Sequence, residues 1–383
     1  MTVLFAEGFT GVPRGTTQIA NAANPLRSLG YAAFGRYNGT TMLTANDTGH
    51  NTIIAADDVF ADRNKLTISG LLNANVQSYF QQYTMPLNTL GYEKFVIGMM
   101  ITPDTTTTSG EFQVLVSGPT QWPSSNSNFL INEFFAQLVI NDVTADGALY
   151  IFNAKQATSP LIKKGKPTHI EILIEQDVDR CRVYVDGVLT GDATYTGTFA
   201  AANGGFSVVL YSGVPQARTI KADVSNIYVL GVDALHTGVL GPATRILEVA
   251  PTVDKAVEWK HPDAFASNAA VLQQMFNVTN PAYLTTGGPA TDLYGGMDAV
   301  GQNAAAVHGA VFKLQAMTMA EGEHTVASAV SYNGTSAIGT KEYALALATL
   351  QPFVMDVSKN PVTNAKWTPQ EIANAGFGFK LIK

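Results

Sequence analysis

The chain has 383 residues, of which 46% are hydrophobic, so it can bury a sizeable core and wholesale disorder is excluded. Its charged fraction is 14%, below the roughly 25% usual for soluble domains, and its net charge is −7. That balance excludes a nucleic-acid binder, which needs Lys and Arg to displace phosphate counterions, and it predicts a neutral polar surface suited to permanent assembly.

The predicted elements are strands nearly throughout. Val3–Phe5 opens the chain, and Tyr92–Ile101 places Phe95, Ile97, Met99 and Ile101 on one face. Asn75–Tyr83 reads equally as a short helix or a strand. Glu111–Val116, Phe134–Ile140 and Ala148–Phe152 follow, and Lys163-Lys164-Gly165-Lys166 reads as a basic turn. In "HIEILIEQDVDRCRVYVDGVLTGDAT", from His169 to Thr194, Ile170, Ile172 and Ile174 alternate with His169, Glu171, Leu173 and Glu175. Cys181, Val183 and Val185 alternate with Arg180, Arg182 and Tyr184, and Asp186-Gly187 suits a type I′ turn. The pattern predicts half-buried antiparallel sheet with its polar face in water. Phe206–Tyr211 and Val224–Leu230 complete the series, which indicates an antiparallel sandwich or jelly roll.

The Gly-rich, aperiodic "GVDALHTGVLGP" places a domain boundary, dividing the chain into a sandwich at 1–232, a linker at 233–241 and a smaller β-rich domain at 242–383. In the latter, strands are expected at Val311–Met317, Thr325–Tyr332, Tyr343–Leu347 and Phe353–Val357, with a hairpin turn at Asn333-Gly334. Thr368, Pro369 and Glu371 form a capping box ahead of a two-turn helix that Gly376 should stop. Phe377, Phe379 and Leu381 then alternate as a closing strand.

The search for chemistry finds little. Glu171 and Glu175 are the nearest approach to paired catalytic carboxylates, and they read better as the solvated face of a strand. Asp57, Asp58 and Asp62 cluster in what reads as a surface loop. His50, His169, His236, His261, His308 and His324 show no HxH or HExxH spacing. Cys181 is the sole cysteine and reads as a buried inert thiol, which excludes an intrachain disulfide. No cofactor fingerprint is present; calcium is the one metal worth naming, held by loop groups in "TANDTGHN" (Thr44–Asn51) or "NDVTADG" (Asn141–Gly147). Trp122, in the polar loop "SGPTQWPSSNSN", is the candidate contact for a glycan or for a subunit interface, whereas Trp259 and Trp367 are expected in the core. There is no secretory signal or bilayer-length apolar run, so the chain is read as soluble, made in a cytoplasm and not inserted in a membrane.

"MTVLFAEGF", "GRYNGTTML" and "RVYVDGVLTG" together resemble the concanavalin-A-like, laminin-G-type sandwich of bacteriophage virion proteins. "VSNIYVLGVDALHTGVLGPATRILEVAP", "TDLYGGMDAV", "AAVHGAVFKLQAM" and "NPVTNAKWTPQEIANAGFGFKLIK" resemble the second module that follows it in tailed-phage structural proteins. The resemblance implies a virion component of tail, baseplate or fibre, or a capsid decoration protein. It implies no catalytic residue, so a non-enzymatic chain is expected. The implied partners are other virion proteins and further copies of the chain, in a ring or trimer; the alternative is a module that binds a host-surface glycan during adsorption.

Overall fold

The computed structural model describes residues 2–8, 17–18, 36–37, 42–43, 50–56, 64–72, 82–86, 92–104, 111–117, 137–140, 146–151, 154–155, 162–194, 205–211, 218–233, 238–273, 282–296 and 304–383. Among the described residues the protein is mainly β, with multiple antiparallel ladders and two short helices. The chain divides into two compact units, Ala6–Ile246 and Leu247–Lys383, the latter including Met1–Phe5. The division falls after Ile246, whereas the sequence suggested the stretch 233–241.

In the first unit one sheet runs in the order Val188–Thr194, Arg180–Val185, Thr168–Glu175, Lys94–Pro103, Arg218–Gly231, Asn64–Leu72, His50–Ala56 and Thr17–Gln18. Gln82–Pro86, Gly205–Tyr211 and Glu111–Ser117 form another sheet, and Gln137–Ile140, Asp146–Ile151, Ala154–Lys155 and Ile162–Lys163 a third. Val, Ile and Phe fill the first sheet because branched and aromatic side chains pack well on a pleated surface. Phe95, Ile97 and Ile101 are fully buried, as are Ile174, Cys181 and Val183 on the neighbouring strands. Burial pushes the Cys181 thiol far up, which keeps it protonated and unreactive.

The connections follow their local chemistry. Asp186 and Gly187 both take positive φ, 49° and 80°, as a type I′ turn requires. The polar break after Glu175 is a single 3-10 turn, Gln176–Val178, closed by Asp179 at φ 50°. The basic turn is held by Gly165 N–H donating to Pro103 O and Lys166 N–H to Lys163 O.

The second unit is built on the strand order Val253–Ala256, Ala290–Gly295, Gly376–Leu381, Thr325–Tyr332 and Thr335–Ile338, with Tyr343–Ala344 also on Thr325–Tyr332. Val311–Ala316 pairs separately with Gln351–Asp356. Period-two alternation sends Phe377, Phe379 and Leu381 to the core and leaves Gly376 and Gly378 opposite. Phe379 lies edge-on to Trp259 at 5.1 Å between ring centres, and Trp367 is buried with its indole N–H donating to Val357 O. Asn333-Gly334 is a second type I′ turn, at φ 49° and 75°.

The helix Pro369–Asn374 begins with the expected capping box: Glu371 N–H donates to Thr368 Oγ1 at 3.2 Å, and Thr368 N–H to Glu371 Oε2 at 2.8 Å. Lys255 Nζ closes its other end by donating to the carbonyls of Asn374 and Ala375. A cation there also suits the negative end of the helix dipole. Thr368→Ala is expected to lower the stability of this unit by about 1 kcal/mol, read by chemical denaturation, with little change in fold.

Among the described residues no helix is long and apolar enough to cross a membrane.

Candidate functional site

The polar face of Thr168–Glu175 corrects the sequence reading: all eight residues of the strand are buried, and Glu171 is 0% exposed. At Glu171 the face expected in water meets residues 238–246, an aperiodic Gly-rich stretch that gave no sign of packing, and at Glu175 it meets Lys94 and Arg182.

Two side chains of the sheet fasten this strap. Glu171 accepts the backbone N–H of Leu240 (2.7 Å, at Oε1) and of Gly241 (2.9 Å, at Oε2). Asn226 stands at a β-bulge in Arg218–Gly231 with φ 55°. Its carboxamide donates to Thr244 O at 2.9 Å and accepts Ile246 N–H at 2.6 Å, imitating the peptide of a neighbouring strand. Pro242 packs over the turn glycine Gly187, near enough that a Cβ there would sit 3.0 Å from the ring.

Beneath the strap lies a hydrogen-bonded chain. Tyr228 O–H donates to Glu171 Oε1 at 2.8 Å, so its oxygen is free to accept from His169 Nε2, 3.1 Å away. This direction fixes the neutral His169 tautomer with hydrogen on Nε2. Its Nδ1 is buried and has no partner among the described residues. Tyr228 fits only because residue 98 is glycine: a Cβ there would lie 2.0 Å from the phenol ring. Burial first, and then the charge of Glu171, push the Tyr228 hydroxyl far up, and burial pulls the His169 imidazole below its ordinary range.

Glu175, the other carboxylate singled out by the sequence, is also buried but separately occupied. It accepts from Arg182 Nε at 2.8 Å and from Lys94 Nζ at 3.1 Å, while Arg182 Nη2 also bonds it. Glu171 and Glu175 therefore do not form a paired acid and base. Each oxygen of Glu171 already accepts from a strap amide, and Glu175 is neutralised by two cations.

The remaining candidates are scattered. Trp122, Asp57, Asp58, Asp62 and His236 lie outside the described residues, as do 44–49 and 141–145 of the two loops considered for calcium. His261 Nδ1 is 2.9 Å from Pro262 O, and His324 Nδ1 is 3.2 Å from Lys383 O. Among the described residues no three His, Cys, Asp or Glu side chains stand together as a metal site.

A buried carboxylate that the sequence did not single out organises the second unit. Asp292 accepts the N–H of Glu258 and Trp259 on Oδ1, and Asn268 Nδ2 and Tyr294 O–H on Oδ2. Asp254 accepts the N–H of Asn268 and Ala269 at the start of the helix Asn268–Leu272. Only long-range contacts reveal Asp292, because its partners lie up to 34 residues away in sequence.

No protein-family profile and no curated protein matches the chain. Solved structures that resemble it include the alginate lyase Aly36B, at 12% identity and a TM-score of 0.37 over 59% of this chain and 95% of that one. Domain 4 of AbnA, a GH43 extracellular arabinanase from Geobacillus stearothermophilus, matches at 14% identity and 0.31 over 60% and 94%. A sialidase matches at 9% identity and 0.34 over 49% of this chain, which spans only 17% of the sialidase. Such likeness concerns the fold alone and assigns no activity. The expectation of a non-enzymatic chain is withdrawn, because the solved structures that resemble this one include alginate lyases and a sialidase.

Proposed function

We propose that this chain is a structural component of a tailed-bacteriophage virion, in tail, baseplate or fibre, and that it acts by associating with further copies of itself. The sequence resemblance supports the setting, and one structural observation supports the mode. Met319, Leu347 and Leu350 are 74%, 54% and 39% exposed, and they stand on two segments that meet at Thr318. Thr318 N–H donates to Ala346 O, and Ala348 N–H returns to Thr318 O, so the apolar side chains are presented on a braced support. Fully burying a side chain of this size contributes about 1.5–3 kcal/mol before the costs of association are subtracted.

The purified chain is expected to form a discrete trimer or ring by size-exclusion chromatography with light scattering. The assembly should persist in high salt, because apolar contact is not screened. Met319→Lys combined with Leu347→Lys should return it to monomer. A natural chain that is monomeric at tens of micromolar (about the range used in such runs), or an assembly that the double variant leaves intact, would sink the proposal. Capture of a host-surface glycan by the sandwich is the second reading the sequence supports, and a glycan array, run with and without calcium, tests it directly.

A further inference from the structure

The strap 238–246 is fastened by side chains at two points of different chemistry, one that includes an ionisable network and one that does not. Glu171 holds the amides of Leu240 and Gly241; the Asn226 carboxamide holds Thr244 and Ile246. We propose that the Leu240–Gly241 end is an acid-released latch, closed while His169 is neutral and opened when His169 takes up a proton.

The geometry supplies the reason. With Tyr228 O–H committed to Glu171, His169 Nε2–H donates to the Tyr228 oxygen, and Nδ1 is the only place for a further proton. That atom is buried and faces no partner among the described residues, so a proton there creates an unsatisfied donor and a charge at once. The charged and titratable groups facing the ring are Glu171 on its own strand, Tyr228 from Arg218–Gly231, Asp186 from the hairpin turn and Arg245 from the strap. Glu171 and Asp186 favour the imidazolium; Arg245 and burial oppose it, and burial is the largest influence.

The sign follows from linkage. With the strap closed, His169 holds its proton less readily than an exposed histidine of ordinary pKa, about 6.5. Opening therefore takes up a proton. The latch is at full strength above that ordinary value and weakens as pH falls through it toward the depressed closed-state value, by up to about tenfold in the opening constant per pH unit.

Hydrogen exchange on the full chain, corrected for the intrinsic pH dependence of exchange, tests this. Protection of the Leu240 and Gly241 amides should be nearly constant above neutrality and fall by up to about fivefold between pH 6.5 and 5.5. Ile246, held by the non-titrating Asn226, and the amides of Thr168–Glu175 should not follow. His169→Gln keeps an N–H donor for Tyr228 and removes the titration, so its profile should be flat. Unchanged protection of Leu240 and Gly241 in the natural chain, or an equal fall in His169→Gln, overturns the latch. Should that variant fail to fold, an NMR titration of the natural chain decides: the latch requires the Leu240 and Gly241 amide shifts to move with the His169 ring, and a ring that titrates without them refutes it.

Discussion

Asp292→Ala is expected to destabilise the second unit by about 3–5 kcal/mol, the range seen when a buried charge network loses one member. The carboxylate is fully buried and accepts from two backbone amides, one carboxamide and one phenol, at 2.6–2.9 Å. Alanine would leave those donors in a site with no replacement acceptor, each costing about 1–3 kcal/mol if water cannot enter. Tyr294 reports the same network, because burial and the hydrogen bond to Asp292 push its hydroxyl far up. The measurement is thermal unfolding, with a fall in Tm on the order of 10 °C. Asp292→Asn should fall between the two, since it keeps one acceptor oxygen and turns an NH2 group toward existing donors. A shift indistinguishable from a surface substitution would show that the donors find other partners.

Glu171→Ala is the second large effect, about 3 kcal/mol from the first unit, because the Leu240 and Gly241 amides and the Tyr228 hydroxyl lose their acceptor together. Tyr228→Phe removes one donor and leaves both amide bonds, so it should cost about 1 kcal/mol. Chemical denaturation of the two variants side by side gives the ratio. A catalytic Glu171 would behave differently: polysaccharide cleavage would vanish in Glu171→Gln with stability little changed.

Much of this architecture was legible in the chain because it is encoded locally. Thr368, Pro369 and Glu371 specify a helix start within four residues, and Asp186-Gly187 and Asn333-Gly334 specify turns through the φ that glycine and its neighbour tolerate. The alternation of Phe377, Phe379 and Leu381 names its own buried face. The strands His50–Ala56 and Asn64–Leu72 were harder, since Ile53 and Ile54 are adjacent and Gly70 interrupts the second.

The site was not legible, for the same physical reason. Glu171 and Glu175 lie on an alternating strand that reads as amphipathic, and its polar side chains are taken up by distant partners, Glu171 by the strap and Glu175 by Lys94 and Arg182. The strap carries no periodicity because it joins no ladder; Glu171 and Asn226 satisfy its amides, and neither identity nor spacing announces that. Likewise Gly98 matters only through Tyr228, which approaches it from another strand.

One further bond bears on how the molecule is made. Val3 is buried in the second unit, and its N–H donates to Ser358 Oγ at 2.7 Å. In topological terms Ala6–Ile246 is therefore an insertion between residues 1–5 and the rest of that unit. The inserted sandwich can fold as soon as it leaves the ribosome, whereas the unit that encloses it must wait for Leu247–Lys383. Closing so long a loop is entropically slow as an open chain, but a folded insert brings its own two ends to fixed positions and removes most of that search. Synthesis would thus run in a set order, sandwich first, and the bond from Val3 to Ser358 last.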